Sequence, residues 1–222
     1  MTTAISENIG FDVKDGIAVL ELRRPEKRNA VSRAMWQTML THLEAASGRS
    51  DVRVLVLQGS GGIFCAGADL TEVKGTDDVP AESYREHLMR TLSAVAAFPA
   101  PSIARIEGAC IGGGCSLALA CDFRFAHPGA TFAIPAVRHG IVYDEDSIAR
   151  MVGLMGPSRA AWMLYTAGRV NAARAATLGL VDECSAELDE LIADFAEAVT
   201  LGDRGTIAAV HNLLRVAADP SS

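Results

Sequence analysis

Two stretches of this sequence have the residue types for chemistry at the main chain. One is GGIFCAGADL, from Gly61 to Leu70, and the other is EGACIGGGCSLALACD, from Glu107 to Asp122. Each follows an apolar run, has only small residues at its centre and leads toward a helical pattern. Small residues let a ligand approach the backbone closely. N–H groups at a helix start have no internal acceptor and can point at an oxygen that becomes negative. Two such turns from different places would supply two donors to one oxyanion, each worth about 2.7–4 kcal/mol in enzymes where one has been removed. Taken singly, either turn has another reading, in which its glycines only tighten the chain.

Other motifs fail. The run Gly112-Gly113-Gly114 does not make GxGxxG, and no GxxxxGK[ST] occurs. Gly114-Cys115-Ser116-Leu117-Ala118 is one residue from the GxSxG nucleophile elbow, with Ala118 where glycine should stand. His127 and His139 lie downstream, so a hydrolase is the competing enzyme reading. The five cysteines, Cys65, Cys110, Cys115, Cys121 and Cys184, form no CxxC pair. Free thiols in a reducing compartment are expected, with neither disulfides nor a metal site. The net charge of −7 argues against nucleic-acid binding. Arg23, Arg24, Lys27 and Arg28 form a basic cluster within that acidic chain; it reads equally as a solvated turn or as a contact for an anion. The polar start MTTAISENIG is unlike a signal peptide. The apolar stretch Ala109 to Cys121 is broken by glycines and too short for a bilayer. A soluble, cytoplasmic protein with no membrane partner is expected.

The elements that must hold these turns alternate. Gly16 to Leu22 reads as a strand. Ser32 offers an N-cap to a helix that Gly48 stops. Val52 to Leu57 is a buried strand, Ala81 to Phe98 a helix closed by prolines, and Ser102 to Ile106 a strand. Ser116 to Cys121 is a buried helix; Phe123 to Ala126 and Thr131 to Ile134 are strands. Helical periodicity then dominates: Ile148 to Met155, Ser158 to Thr166, Ala172 to Leu178, Leu188 to Val199 and Thr206 to Ala217. With half its residues hydrophobic, the chain can bury a sizeable core. An α/β core with a parallel sheet and a helical tail follows.

The sequence resembles the crotonase superfamily, the enoyl-CoA hydratases and isomerases. The pieces that carry the resemblance stand in family order: LRRPEKRNA (22–30), FCAGADL (64–70), IEGACIGGGCSLALACD (106–122), FAIPAVRHGI (132–141) and AATLGLVDE (175–183). The resemblance implies a ββα spiral core over 1–145 that cradles acyl-CoA. It also implies a shortened C-terminal helical region over 146–222 that contacts other copies, in a homotrimer or a dimer of trimers. Ala68 and Gly113 then correspond to the two oxyanion donors. Arg28, Ala30 and Ala66 line the coenzyme A groove, and the basic cluster there suits a phosphate-bearing ligand. Asp69 caps the helix after its turn. Gly67, Leu70, Gly112, Pro135, Ala136, Ile141 and Tyr143 border the substrate. No cofactor is implied, because coenzyme A is part of the substrate. Full-length members continue beyond the point matching Ser222, which implies a more open acyl pocket.

Departures from the family pattern bear on the reaction. Hydratases of the family use two glutamates, at positions that here are Ser116 and Ala136. A serine hydroxyl alone does not activate water, and alanine has no titratable group, so ordinary hydration is not expected. Eight residues beyond Ala136 stands Asp144, where the dienoyl-CoA isomerase branch carries a catalytic aspartate. From sequence, Asp144 reads equally as an N-cap of the helix that follows. The expected function is an acyl-CoA lyase or isomerase working through a thioester enolate in fatty-acid or related acyl-CoA metabolism. The alternative is an acyl-CoA carrier that has lost the chemistry.

Overall fold

The computed structural model describes residues 6–73 and 81–218. The first five residues of the polar N-terminal stretch lie outside them. The chain opens with β1 (Ile9–Lys14) and β2 (Ile17–Leu22), followed by α1 (Arg33–Ser47), β3 (Val54–Gly59), α2 (Leu70–Val73) and α3 (Ala81–Ala96). Then come β4 (Ser102–Ile106), β5 (Ala109–Ile111), α4 (Gly113–Ala120), β6 (Phe123–Ala126) and β7 (Thr131–Ala133). The last elements are α5 (Glu145–Met155), α6 (Pro157–Thr166), β8 (Val170–Asn171), α7 (Ala172–Leu178), β9 (Glu183–Cys184), α8 (Leu188–Leu201) and α9 (Arg204–Ala218).

The strands make a six-stranded sheet, β1-β2-β3-β4-β6-β9, and a three-stranded one, β5-β7-β8. Among the described residues only β1 with β2 and β7 with β8 pair antiparallel. Single parallel bridges, Val31 to Ala68 and Cys65 to Cys110, extend the smaller sheet through chain that is otherwise irregular. Each turn of chain therefore lays one strand in the large sheet, one extended strip in the small one, and then a helix. That is a ββα spiral wound in sequence order.

Burial explains the strand compositions. In β3, Leu55 and Leu57 enter the main core, while Val54 and Val56 face a second cluster with Ile103, Phe125, Leu188, Ile192 and Ala196. A strand covered on both faces reads as an unbroken apolar run, as VLVL does. Helix α8 makes the second cover, and Phe195 meets Phe123 and Phe125 with ring centroids 4.9 and 5.8 Å apart. Ser32 accepts from the Met35 N–H at 3.3 Å and starts α1, with Gly48 at its end.

Several expected boundaries move. β1 was not expected, although Ile9, Phe11 and Val13 alternate as a strand does. The third strand begins two residues late, at Val54, because Arg53 and Val54 both donate to the Gly16 carbonyl in a turn. The buried helix begins at Gly113 rather than Ser116. The short strands β5, β8 and β9 are set by tertiary pairing and were not expected. Among the described residues no helix is long and apolar enough to cross a membrane.

Candidate functional site

Residues 64–69 run extended between two neighbours, and their hydrogen bonds alternate between them. The Cys65 N–H donates to Ala109 O (2.9 Å), and Cys65 O accepts from the Ile111 N–H (2.9 Å). On the other side Ala66 N–H donates to Arg28 O (2.9 Å), Val31 N–H to Gly67 O (2.8 Å) and Asp69 N–H to Val31 O (3.0 Å). Ala68 sits at the centre of the bridge with Val31, so its own N–H and C=O face away from that partner. What they face is the start of α4: a Cβ added to Gly113 would lie 3.4 Å from the Ala68 nitrogen. Among the described residues neither the Ala68 nor the Gly113 N–H has an acceptor in the chain. The two donors lie side by side, but only one opens a helix. Ala68 lies two residues before α2 and owes its free N–H to strand alternation, which corrects the expectation that both come from helix starts.

Close approach needs glycine here. Gly67 has φ +103°, and a Cβ on it would meet Ile111 O at 2.8 Å. Gly112 has φ 53° and ψ −116° and turns the chain out of β5 into α4. Its N–H donates to Ala133 O at 2.8 Å. Its carbonyl accepts from the N–H groups of Cys115 (2.8 Å) and Ser116 (3.2 Å), and from the Tyr143 hydroxyl (2.9 Å). Tyr143, expected at the acyl groove, thus turns its hydroxyl onto the loop. Burial first, and then Cys115 and Asp144, push its phenol well above the ordinary value.

Ser116 and Asp144 meet. The Ser116 hydroxyl donates to Asp144 Oδ2 at 2.8 Å, and Asp144 is only 6% exposed. The other oxygen, Oδ1, accepts from the Ser147 N–H at 2.8 Å, making Asp144 the N-cap of α5. That helix starts at Glu145, earlier than its periodicity suggested, because Glu145 and Asp146 form a polar first turn. Ser116, expected from the resemblance to stand where hydratases carry a glutamate, thus touches Asp144. Pro135 and Ala136 open a 3₁₀ turn, Pro135–His139, so no carboxylate comes from there. Leu70 and Ile141 are exposed, at 49% and 39%.

The hydrolase reading is overturned. Ser116 lies inside α4 rather than on a strand-to-helix elbow, and its hydroxyl partner is Asp144. His127 accepts from the Gly129 N–H, and His139 is exposed. The neighbouring thiols are buried, and desolvation pushes Cys65 up to about 12, far from a thiolate nucleophile.

The basic cluster divides. Arg24 pairs with Asp69 at 2.8 Å and donates to Ala30 O at 3.2 Å; Arg23 pairs with Glu21 at 2.6 Å. Among the described residues Lys27 and the exposed Arg28 have no carboxylate partner. Asp69 accepts from the Thr71 N–H at 3.1 Å at the start of α2. Burial opposes its ionisation, but Thr71 and Arg24 outweigh burial and hold its carboxyl below the usual range. Sequence reasoning missed Asn29, which is fully buried. Its Oδ1 accepts from the Arg24 N–H (2.9 Å) and its Nδ2 donates to Ser60 O (2.9 Å) and Ile63 O (2.6 Å). Asparagine tolerates the left-handed backbone found there, φ 55°; within RRPEKRNA that preference was the available signal. Also missed was Tyr84, whose hydroxyl accepts from Trp36 Nε1 (2.8 Å) and donates to Val31 O (2.7 Å), bracing the strip that pairs with Ala68.

Residues 12–213 match the family described as Enoyl-CoA hydratase/isomerase. A Mycobacterium leprae protein described as "Probable enoyl-CoA hydratase echA6" is 37% identical over 184 residues, 82% of this chain and 72% of its own length. The mouse mitochondrial "Enoyl-CoA hydratase domain-containing protein 2" is 34% identical over 187 residues, and the chain spans 63% of its length. Among solved structures, an enoyl-CoA hydratase/isomerase family protein from Hyphomonas neptunium superposes with a TM-score of 0.89 at 31% identity. That match covers 95% of this chain and 82% of the other.

Proposed function

The chain belongs to the enoyl-CoA hydratase/isomerase family of the crotonase superfamily, and on that premise we propose that it binds an acyl-CoA thioester and stabilises its enolate. One observation carries the proposal: the unpaired N–H groups of Ala68 and Gly113 lie side by side, from different turns of the spiral. A thioester oxygen between them would accept both bonds, and more strongly as it gains negative charge. The positive end of α4 adds to that attraction. Lys27 and Arg28, free of carboxylate partners among the described residues, are the groups proposed for coenzyme A phosphates at the groove of Ala30 and Ala66.

Asp144 is the proposed group for moving a proton at the acyl chain, held by Ser116. With serine and alanine where the hydratase glutamates stand, an isomerase or lyase reaction fits better than addition of water. A second reading, an acyl-CoA carrier without turnover, is favoured by one specific observation. Both Asp144 oxygens already have partners, so a substrate must displace or share one. Assembly into trimers through the C-terminal helices is part of the proposal, since apolar residues of α9 such as Leu213 and Leu214 are exposed.

Calorimetry comparing acyl-CoA with free coenzyme A tests the binding. Tighter binding of the thioester is expected; equal affinity, or none for either, overturns the reading. Turnover over a panel of enoyl-CoA thioesters then separates enzyme from carrier. In an enzyme, Asp144→Asn should lower turnover by about 10²–10⁴-fold with acyl-CoA affinity little changed. A folded Asp144→Asn protein turning over at the wild-type rate would leave Asp144 as a helix cap alone.

A further inference from the structure

We infer that Tyr143 is a positioning residue for the Gly113 donor, aiming and polarising that N–H through the other end of the same peptide unit. The inference rests on the acyl-CoA reading above. The carbonyl of Gly112 and the N–H of Gly113 belong to one planar, trans peptide, so they point in opposite directions. Whatever pulls Gly112 O inward turns the Gly113 N–H outward. Three donors converge on that oxygen: Cys115 N–H (2.8 Å), Ser116 N–H (3.2 Å) and the Tyr143 hydroxyl (2.9 Å).

The run Gly112-Gly113-Gly114 has no side chain to fix the plane sterically, and glycine gives the backbone its widest freedom. Hydrogen bonds must set the orientation. Two of the three come from α4 itself and would follow the helix wherever its first turn moved. The Tyr143 bond comes from outside, from the segment that enters α5. That segment is anchored by its neighbour: Asp144 caps α5 with one oxygen and holds Ser116 of α4 with the other. Residues 143 and 144 thus clamp the start of α4 at two points, Gly112 O and Ser116 Oγ.

The bond also acts electronically. Donation to a peptide oxygen draws charge through the amide and makes its N–H a stronger donor; such chains strengthen each member by roughly 10–30%. The phenol remains protonated at neutral pH, because burial pushes its ionisation well above the ordinary value, so it stays a donor.

Infrared difference spectroscopy with ¹³C=O-labelled crotonyl-CoA reads the effect directly. In the wild type the bound thioester band should fall below that of free crotonyl-CoA. Tyr143→Phe should still bind and lose about 10–30% of that displacement, the share assigned to one cooperative bond. Substitution of Tyr143 by 3-fluorotyrosine, a stronger donor of nearly the same shape, should enlarge the displacement. A residue with a structural role only would lower the unfolding midpoint and leave the band in place. A folded Tyr143→Phe protein with the wild-type displacement therefore overturns the inference while the acyl-CoA reading stands. A wild type that binds crotonyl-CoA without any displacement overturns both.

Discussion

The two donor segments reach the same place by different constructions. The Ala68 strip is held by main-chain bonds on both sides, to Val31 and to β5. Side chains add to this at its end, where Arg24 pairs with Asp69, and at one remove through Tyr84 and Asn29, which brace its neighbours. The Gly113 end depends on side chains directly, with Tyr143 on Gly112 O and Asp144 on Ser116. A donor set by strand pairing is shared by any sequence that keeps the pairing. A donor set by side chains can be tuned residue by residue. The Gly113 half is therefore where a member of this fold would be adjusted to its own substrate.

The largest test removes the donors. Gly113→Pro deletes one N–H at the first position of α4, where proline is tolerated. Ala68→Pro deletes the other, whose N–H makes no bond within the described residues. Each should cost about 10²–10³-fold in turnover, or the equivalent in preference for acyl-CoA over free coenzyme A, as loss of one oxyanion donor does elsewhere. If only one of the pair matters, the oxygen is not shared between them.

Next comes the seam between the segments. Gly67→Ala puts a methyl group 2.8 Å from Ile111 O at φ +103°. It should destabilise the fold by about 1–3 kcal/mol, the range for strained backbone, in urea unfolding. Wild-type stability would mean that the strip and the α4 loop can move apart.

Asn29→Ala should cost about 1–3 kcal/mol by removing a fully buried amide that serves the Arg24 N–H and the half-buried Ser60 and Ile63 carbonyls. Because Asn29 braces the main-chain side, ligand-band position should stay put while stability falls, the reverse of Tyr143→Phe. The smallest effect lies at the far end of α4. Asp122 accepts from Ser102 and meets His211 of α9 at 3.0 Å. Burial opposes its ionisation, but His211 and Ser102 prevail and lower its pKa. A carboxyl depressed in the fold stabilises above its unfolded value of about 3.9 and loses that contribution as pH falls through the folded one. Asp122→Asn should flatten the acid side of the stability curve below about pH 4, with acyl-CoA affinity unchanged.

How much of this was legible beforehand depended on how local the cause was. Ser32 and Gly48 bound α1 by capping chemistry that four residues reveal, and α7 spans Ala172–Leu178 as its periodicity indicated. The two glycine-rich turns stood out because small residues cluster for a reason visible in one dimension. What stayed hidden was set by distance in the chain. Ser116 and Asp144 are 28 residues apart, and nothing in either stretch states that they touch. Strand β9 has two residues and exists because β6 offers an edge. Tyr143 was expected at the substrate from the resemblance alone; that its hydroxyl reaches Gly112 O, 31 residues away in the chain, was not legible.

The winding of the sheet also has a temporal meaning. Ile17 pairs with Val54, Leu55 with Ser102, Ile103 with Phe123 and Phe125 with Glu183, so each new parallel strand docks on the one made before it. Such non-local pairings fold slowly, but they can form in order as a chain emerges during synthesis. The Ala68 donor arrives with the second turn and Gly113 with the third, and the Tyr143 clamp arrives after the third of these pairs and before the fourth. A nascent chain would thus own most of the large sheet and both N–H groups before it owned the clamp on the second. A chain ending between residues 130 and 142 should capture that state: folded by protease resistance, and binding acyl-CoA more weakly than the full chain.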